Sequence, residues 1–107
     1  MKIMTVYTEP KKLKTRYIPG DLSDFQREVG GYIEAVTVAE LKDHNVVMLV
    51  NEEGMMKQLP VNENLIPYFF VGNVVFVGVS NDIFVSLTLK QIDVIHAWLV
   101  GLEMLRS

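Results

Sequence analysis

The chain has 107 residues, half of them apolar, with ten Lys or Arg against thirteen Asp or Glu for a net charge of −3. That length fits a single domain, 1–107, and is too short for two independently folding cores. The absence of cysteine excludes a disulfide scaffold, a thiolate zinc site and a cysteine nucleophile, and the acidic balance argues against nucleic acid as a partner.

The N-terminal segment MKIMTVYTEP breaks its apolar residues with polar ones and offers no leader cleavage pattern. The longest apolar stretch, IPYFFVGNVVFVGVS, is shorter than the ~20 residues a bilayer span requires. The expectation is a soluble, cytoplasmic protein with no membrane partner.

In chain order, KIMTVYTE reads as a first strand, with Ile3, Thr5 and Tyr7 alternating against Met4 and Val6. Pro10 and the lysines after it mark a turn, and LKTRYI returns as the second arm of a hairpin ended by Pro19-Gly20. DLSDFQREVGG has the marks of a short helix: Ser23 and Gln26 at capping-box spacing, Leu22, Phe25 and Val29 on one face, and Gly30 as a left-handed C-terminal residue. YIEAVTV is a strand, ELKDHN a polar connection, and NVVMLVN a strand apolar enough to lie centrally with both faces covered. MMKQLP is expected to be its hairpin return. VNENLIPYFF fits neither pattern, because Pro67 restricts both helix and central strand.

GNVVFVGV and DIFVSL are two further strands joined at Ser80-Asn81, their glycines marking a bulge or close packing. The chain closes in a helix that starts with Thr88 and Gln91 at capping-box spacing and runs to about Leu105. Leu89, Ile92, His96, Leu99 and Leu102 step along one side of it, widened by Ile95, Trp98 and Leu105. That arc exceeds what one sheet face needs, so part of it is expected to cover a second subunit in a homo-oligomer. The fold class is α+β: an antiparallel or mixed sheet of about six strands, one short helix, and a long C-terminal helix packed on it.

Catalytic patterns are absent. His44 lies in a polar connection and His96 in an apolar helix, where it is expected to be partly buried, and their separation is not that of metal ligands. No nucleophile elbow, phosphate-binding loop or dinucleotide fingerprint occurs. The expectation is a protein that is not an enzyme and needs no cofactor or metal. Lys11, Lys12, Lys14 and Arg16 form a basic cluster that serves either as a solvated strand edge or as a phosphate contact.

The polar stretch Asn51-Glu52-Glu53-Gly54 admits two readings. As a turn, it uses Asn51 to bond amides ahead of it and Gly54 at positive φ, but this gives no reason for two glutamates. As a site, it offers two carboxylates between apolar strands. Pattern alone favours the turn.

The blocks EVGGYIEAVTV (28–38), VVMLVNEEGMMKQLPVN (46–62) and VGNVVFVGVSNDIFVSLTLKQ (71–91) resemble, in order and spacing, a family of small proteins of unknown function common in bacteriophages and mobile elements. Its signature reads G-Y-I-E, then N-E-E-G with L-P-x-N, then a glycine-containing strand pair and S-L-T. An arginine often follows the asparagine of L-P-x-N in that family; Glu63 stands there in this chain. The resemblance implies stoichiometric binding rather than catalysis, with Tyr32, Glu34, Asn51, Glu52, Glu53 and Asn62 as a recognition set and Arg16 as a phosphate contact. Two functions follow as expectations. One is sequestration of a small nucleotide-like ligand, a signal of host defence. The alternative is inhibition of a host protein through an acidic or apolar surface.

Overall fold

The computed structural model describes residues Met1–Ser107. Its strands form one six-stranded, wholly antiparallel sheet in the order β2-β1-β5-β4-β3. These are β1 (Lys2–Val6), β2 (Leu13–Tyr17), β3 (Ile33–Val36), β4 (Val46–Asn51) and β5 (Val74–Ser80). The sixth, β6 (Ile83–Val85), pairs with β5 where β1 leaves off. Three helices complete the chain: α1 (Leu22–Val29), α2 (Ala39–Lys42) and α3 (Leu89–Arg106).

The period-two alternation of strands sends apolar side chains to both sides of the sheet, so the domain has two cores. On one side α3 sets Ile92, Ile95, Leu99 and Leu102 against Met4, Val6, Met48 and Phe76. On the other, Phe25 and Val29 of α1 meet Ile3, Leu49, Val75 and Val77. β4 therefore has both faces covered, as its apolar run requires, although the central position belongs to β5.

Both main helices are capped, one of them differently from expectation. Thr88 Oγ1 accepts from the Gln91 amide at 3.1 Å while Gln91 Oε1 accepts from the Thr88 amide at 2.9 Å. The Gln91 side-chain amide also donates to the carbonyls of His44 and Asn45, tying the start of α3 to the turn before β4. For α1 the N-cap is Asp21 rather than Ser23: the Asp21 amide donates to the Asp24 carboxylate at 2.9 Å, two residues earlier than the Ser23–Gln26 spacing suggests. Gly30 does close α1 in the left-handed region, at φ 80°.

Two connections also differ. The connection expected at ELKDHN begins with the short helix α2, which starts one residue before it at Ala39 and is held by a single buried residue, Leu41. The β5–β6 turn is Asn81-Asp82, both at positive φ, one residue later than expected.

The largest departure lies between β4 and β5. MMKQLP does not return as a strand; residues 52–58 form consecutive tight turns, with the Lys57 amide donating to the Glu53 carbonyl and the Leu59 amide to that of Gly54. The chain then crosses below the sheet end through one bridge, Val61 to Val71, a 3-10 turn at Glu63–Leu65 and a cis Ile66–Pro67 peptide.

Candidate functional site

The polar residues of 51–64 divide by what their side chains touch. Asn51 is buried; its amide donates to the Val29 carbonyl at 3.1 Å, and its Oδ1 accepts from the Glu53 amide at 2.8 Å. One side chain thus ties the end of α1 to the turn after β4, where an Asn can satisfy carbonyl and amide together. Gly31 makes room for it: a Cβ there would stand 2.9 Å from Asn51 Nδ2. Gly54 is not at positive φ; a Cβ on it would meet Val71 Cγ2 at 2.7 Å, so close packing demands this glycine.

Asn62 is wholly enclosed, at 0% exposure. Its amide donates to the carbonyls of Val6 and Gly72, each at 3.0 Å, and its Oδ1 accepts from the Asn64 amide. Asn64, also buried, donates to the carbonyls of Tyr7 and Glu9 and accepts from the Lys11 amide. The two asparagines supply hydrogen bonds that the strand ladder cannot give the β1–β2 turn and the 61–73 segment. Arg16 is likewise committed: its guanidinium pairs with Glu28 of α1, whose carboxylate also accepts from Thr5 Oγ1 at 3.1 Å.

Glu34 and Glu52 have a different setting. Glu34 lies opposite Val50 in the β3–β4 ladder, and Val36 opposite Met48, so both face the α3 side of the sheet. There the floor is covered by the 66–71 segment. Val36, Val50, Met55, Phe69 and Phe70 line a cleft of about 190 Å³ that Glu34, Asn51 and Glu52 complete. Phe69 and Met55 rim it, 68% and 66% exposed. No Lys, Arg or His is among its lining residues. The chain's ion pairs, Lys11–Glu103, Lys12–Glu9, Arg16–Glu28 and Arg27–Asp24, involve neither Glu34 nor Glu52.

Of the residues singled out in the sequence, the cleft therefore unites Glu34, Asn51 and Glu52. Tyr32, 63% exposed, stands at its edge, its carbonyl accepting from the Glu52 amide at 2.8 Å. Glu53 is half-buried in the turn, and Asn62 and Arg16 lie elsewhere. The aromatic contribution, Phe69 and Phe70, was missed; its only signal was a run of three aromatic residues, Tyr68 to Phe70, following a proline in a segment without period.

A row of rings closes the space between the cleft and α3. Phe70 stacks on Tyr68 at 6.0 Å, Tyr68 tilts on Trp98 at 5.6 Å, and Trp98 meets Phe76 edge-on. The Tyr68 hydroxyl donates to both Glu40 oxygens, at 2.8 and 3.0 Å. That bond first, then burial and the carboxylate's charge, raises the Tyr68 pKa above its ordinary 10.0.

Cationic groups gather at a separate place. His96, exposed rather than partly buried, shares a cavity of about 100 Å³ with Lys11, Arg106 and Glu103. Arg106 already donates to the carbonyls of Asn64 and Ile66, and Lys11 pairs with Glu103 at 3.3 Å. A wider depression of about 310 Å³ beside α1 holds Arg27 and Glu28, both already paired. No helix is long and apolar enough to cross a membrane.

The chain belongs to the family described as Domain of unknown function (DUF3846), whose model matches residues 1–99. The match takes in every residue that lines the cleft, as well as the asparagines that surround it. No curated protein and no solved structure matches the chain.

Proposed function

We propose that this chain is a non-catalytic binding protein that engages a partner protein through the Glu34–Glu52 cleft. The observation that carries the reading is a pair of carboxylates without internal partners in an apolar recess rimmed by exposed Phe69 and Met55. Carboxylates so placed select cations, and the rim selects apolar groups, so the partner presents a basic and apolar surface. The resemblance to proteins of bacteriophages and mobile elements supports a host protein as the target, held stoichiometrically.

The nucleotide-like ligand draws less support. Its phosphates need a cation; none lines the cleft, and Arg16 is spent on Glu28. The volume of about 190 Å³ is also below the roughly 300–1,000 Å³ of sites that enclose small ligands. It suits one long side chain better than a whole nucleotide.

Self-association through α3 is the second part of the proposal. Val100, Met104 and Leu105 remain exposed on that helix, and Gly101 faces open space. Sedimentation equilibrium of wild type against Val100→Glu/Met104→Glu reads it: a dimer reduced to monomer supports it, and a monomeric wild type ends it.

The binding reading is tested by titrating the protein with an acetylated, amidated octapeptide of alternating lysine and valine, and with its glutamate–valine counterpart. Saturable binding of the lysine peptide, weakened several-fold from low salt to about 0.5 M, with none of the glutamate peptide, is expected. Equal affinity for the two peptides would overturn it.

A further inference from the structure

We infer that the partner segment enters as an added strand on the open edge of β3, its alternate side chains reaching into the cleft. This rests on the binding reading above and gives the occupant a conformation as well as a charge.

Backbone pairing is the first ground. β3 pairs with β4 alone and stands last in the sheet. The Glu52 amide donates to the Tyr32 carbonyl, and Ile33 stands opposite Asn51 in the next step. In an antiparallel ladder, bonded and non-bonded pairs alternate. Tyr32, Glu34 and Val36 therefore turn their backbone groups to β4, while Ile33 and Ala35 turn theirs outward. Ala35 is exposed and its methyl group leaves the approach clear.

The second ground is the contrast between the sheet's two edges. β2, at the far side, carries Lys14 and Arg16 within the strand and follows Lys11 and Lys12, the kind of charge that blunts an edge against further pairing. β3, sequence Ile-Glu-Ala-Val, has no lysine, arginine or proline. Its single charge, Glu34, faces the cleft and repels only an acidic newcomer.

The third ground is register. Neighbouring strands lie ~4.8 Å apart, and side chains directly across a pair stand about 4.5–5.5 Å from one another. A strand laid on β3 would set every second side chain beside Glu34 and Val36 on the cleft side, within reach of a lysine or arginine to Glu34 and Glu52. The residues between would lie beside Ile33 and Ala35 on the α1 side, where an apolar group fits. The occupant is thus an extended segment alternating basic and apolar residues in a partner protein.

The test uses the lysine–valine octapeptide and residue-resolved hydrogen exchange on the intact protein. Saturating peptide is expected to slow exchange at the Ile33 and Ala35 amides at least tenfold. Ala35→Pro removes only an outward amide, which an edge strand tolerates; peptide affinity should fall at least tenfold with the melting temperature nearly kept. Peptide binding without protection at Ile33 and Ala35 would overturn strand addition and leave the cleft reading standing. No binding to wild type would remove both. Should Ala35→Pro fail to fold, exchange in the wild type decides alone.

Discussion

The knot around Asn62 and the cleft around Glu34 lie on the same chain segment's two flanks and treat polar side chains in opposite ways. In the knot, Asn62 and Asn64 are buried, and each side-chain amide donates to two backbone carbonyls. In the cleft, Glu34 and Glu52 border water, with no partner supplied by the chain. The asymmetry follows from the cost of desolvation: an amide can be buried once both its ends are satisfied, whereas a carboxylate left unpaired stays near solvent. A polar residue bound to its own fold stabilises the fold; one left free at a recess is available to something else.

Removing the knot should have the largest effect. Asn62→Ala removes the buried donor to the Val6 and Gly72 carbonyls and the acceptor for the Asn64 amide, at about 1–3 kcal/mol for each buried group left unsatisfied. Denaturant unfolding should register a loss of about 2–4 kcal/mol. A loss within experimental error would show the segment held by something other than its asparagines. Gly54→Ala comes next, because the new methyl must displace Val71 from 2.7 Å; about 1–3 kcal/mol is expected, and pairing it with Val71→Ala should recover part of that loss.

A smaller effect is expected from Tyr68, whose raised pKa stems from the bond to Glu40. A folded-state pKa above the unfolded one gives stability fully present below about pH 10 and lost as pH climbs through the raised value. Because the bond is exposed to solvent, wild type should exceed Tyr68→Phe by only about 0.3 kcal/mol in neutral solution. The gap should close in melting curves taken well above pH 10. A gap that stays constant would mean the ring, not the hydroxyl, is at work.

Much of the fold was legible because its signals are local. Alternation marked the strands, Gly30 the end of α1, and Thr88 with Gln91 the start of α3. The short α2 escaped because one buried leucine leaves no period to read. The 52–73 segment escaped for a different reason: its organisation comes from asparagine bonds spanning up to 57 residues, as from Asn64 to Tyr7, and no local pattern encodes them. The same cause divides the site. The N-E-E-G and L-P-x-N blocks look alike as polar clusters, yet only long-range contacts reveal that Asn51 and Asn62 serve the fold while Glu52 joins Glu34 from a different strand.

The central claim is that the carboxylates of the cleft are dispensable for folding and needed for binding. Glu34→Gln/Glu52→Gln tests it most directly, with unfolding free energy and lysine–valine peptide affinity measured on the same preparation. Stability should stay within about 0.5 kcal/mol of wild type. Affinity should drop about tenfold, as expected for two partly exposed ion pairs of about 0.7 kcal/mol each. A variant that binds as well as wild type, or one that loses stability as Asn62→Ala does, would contradict the account.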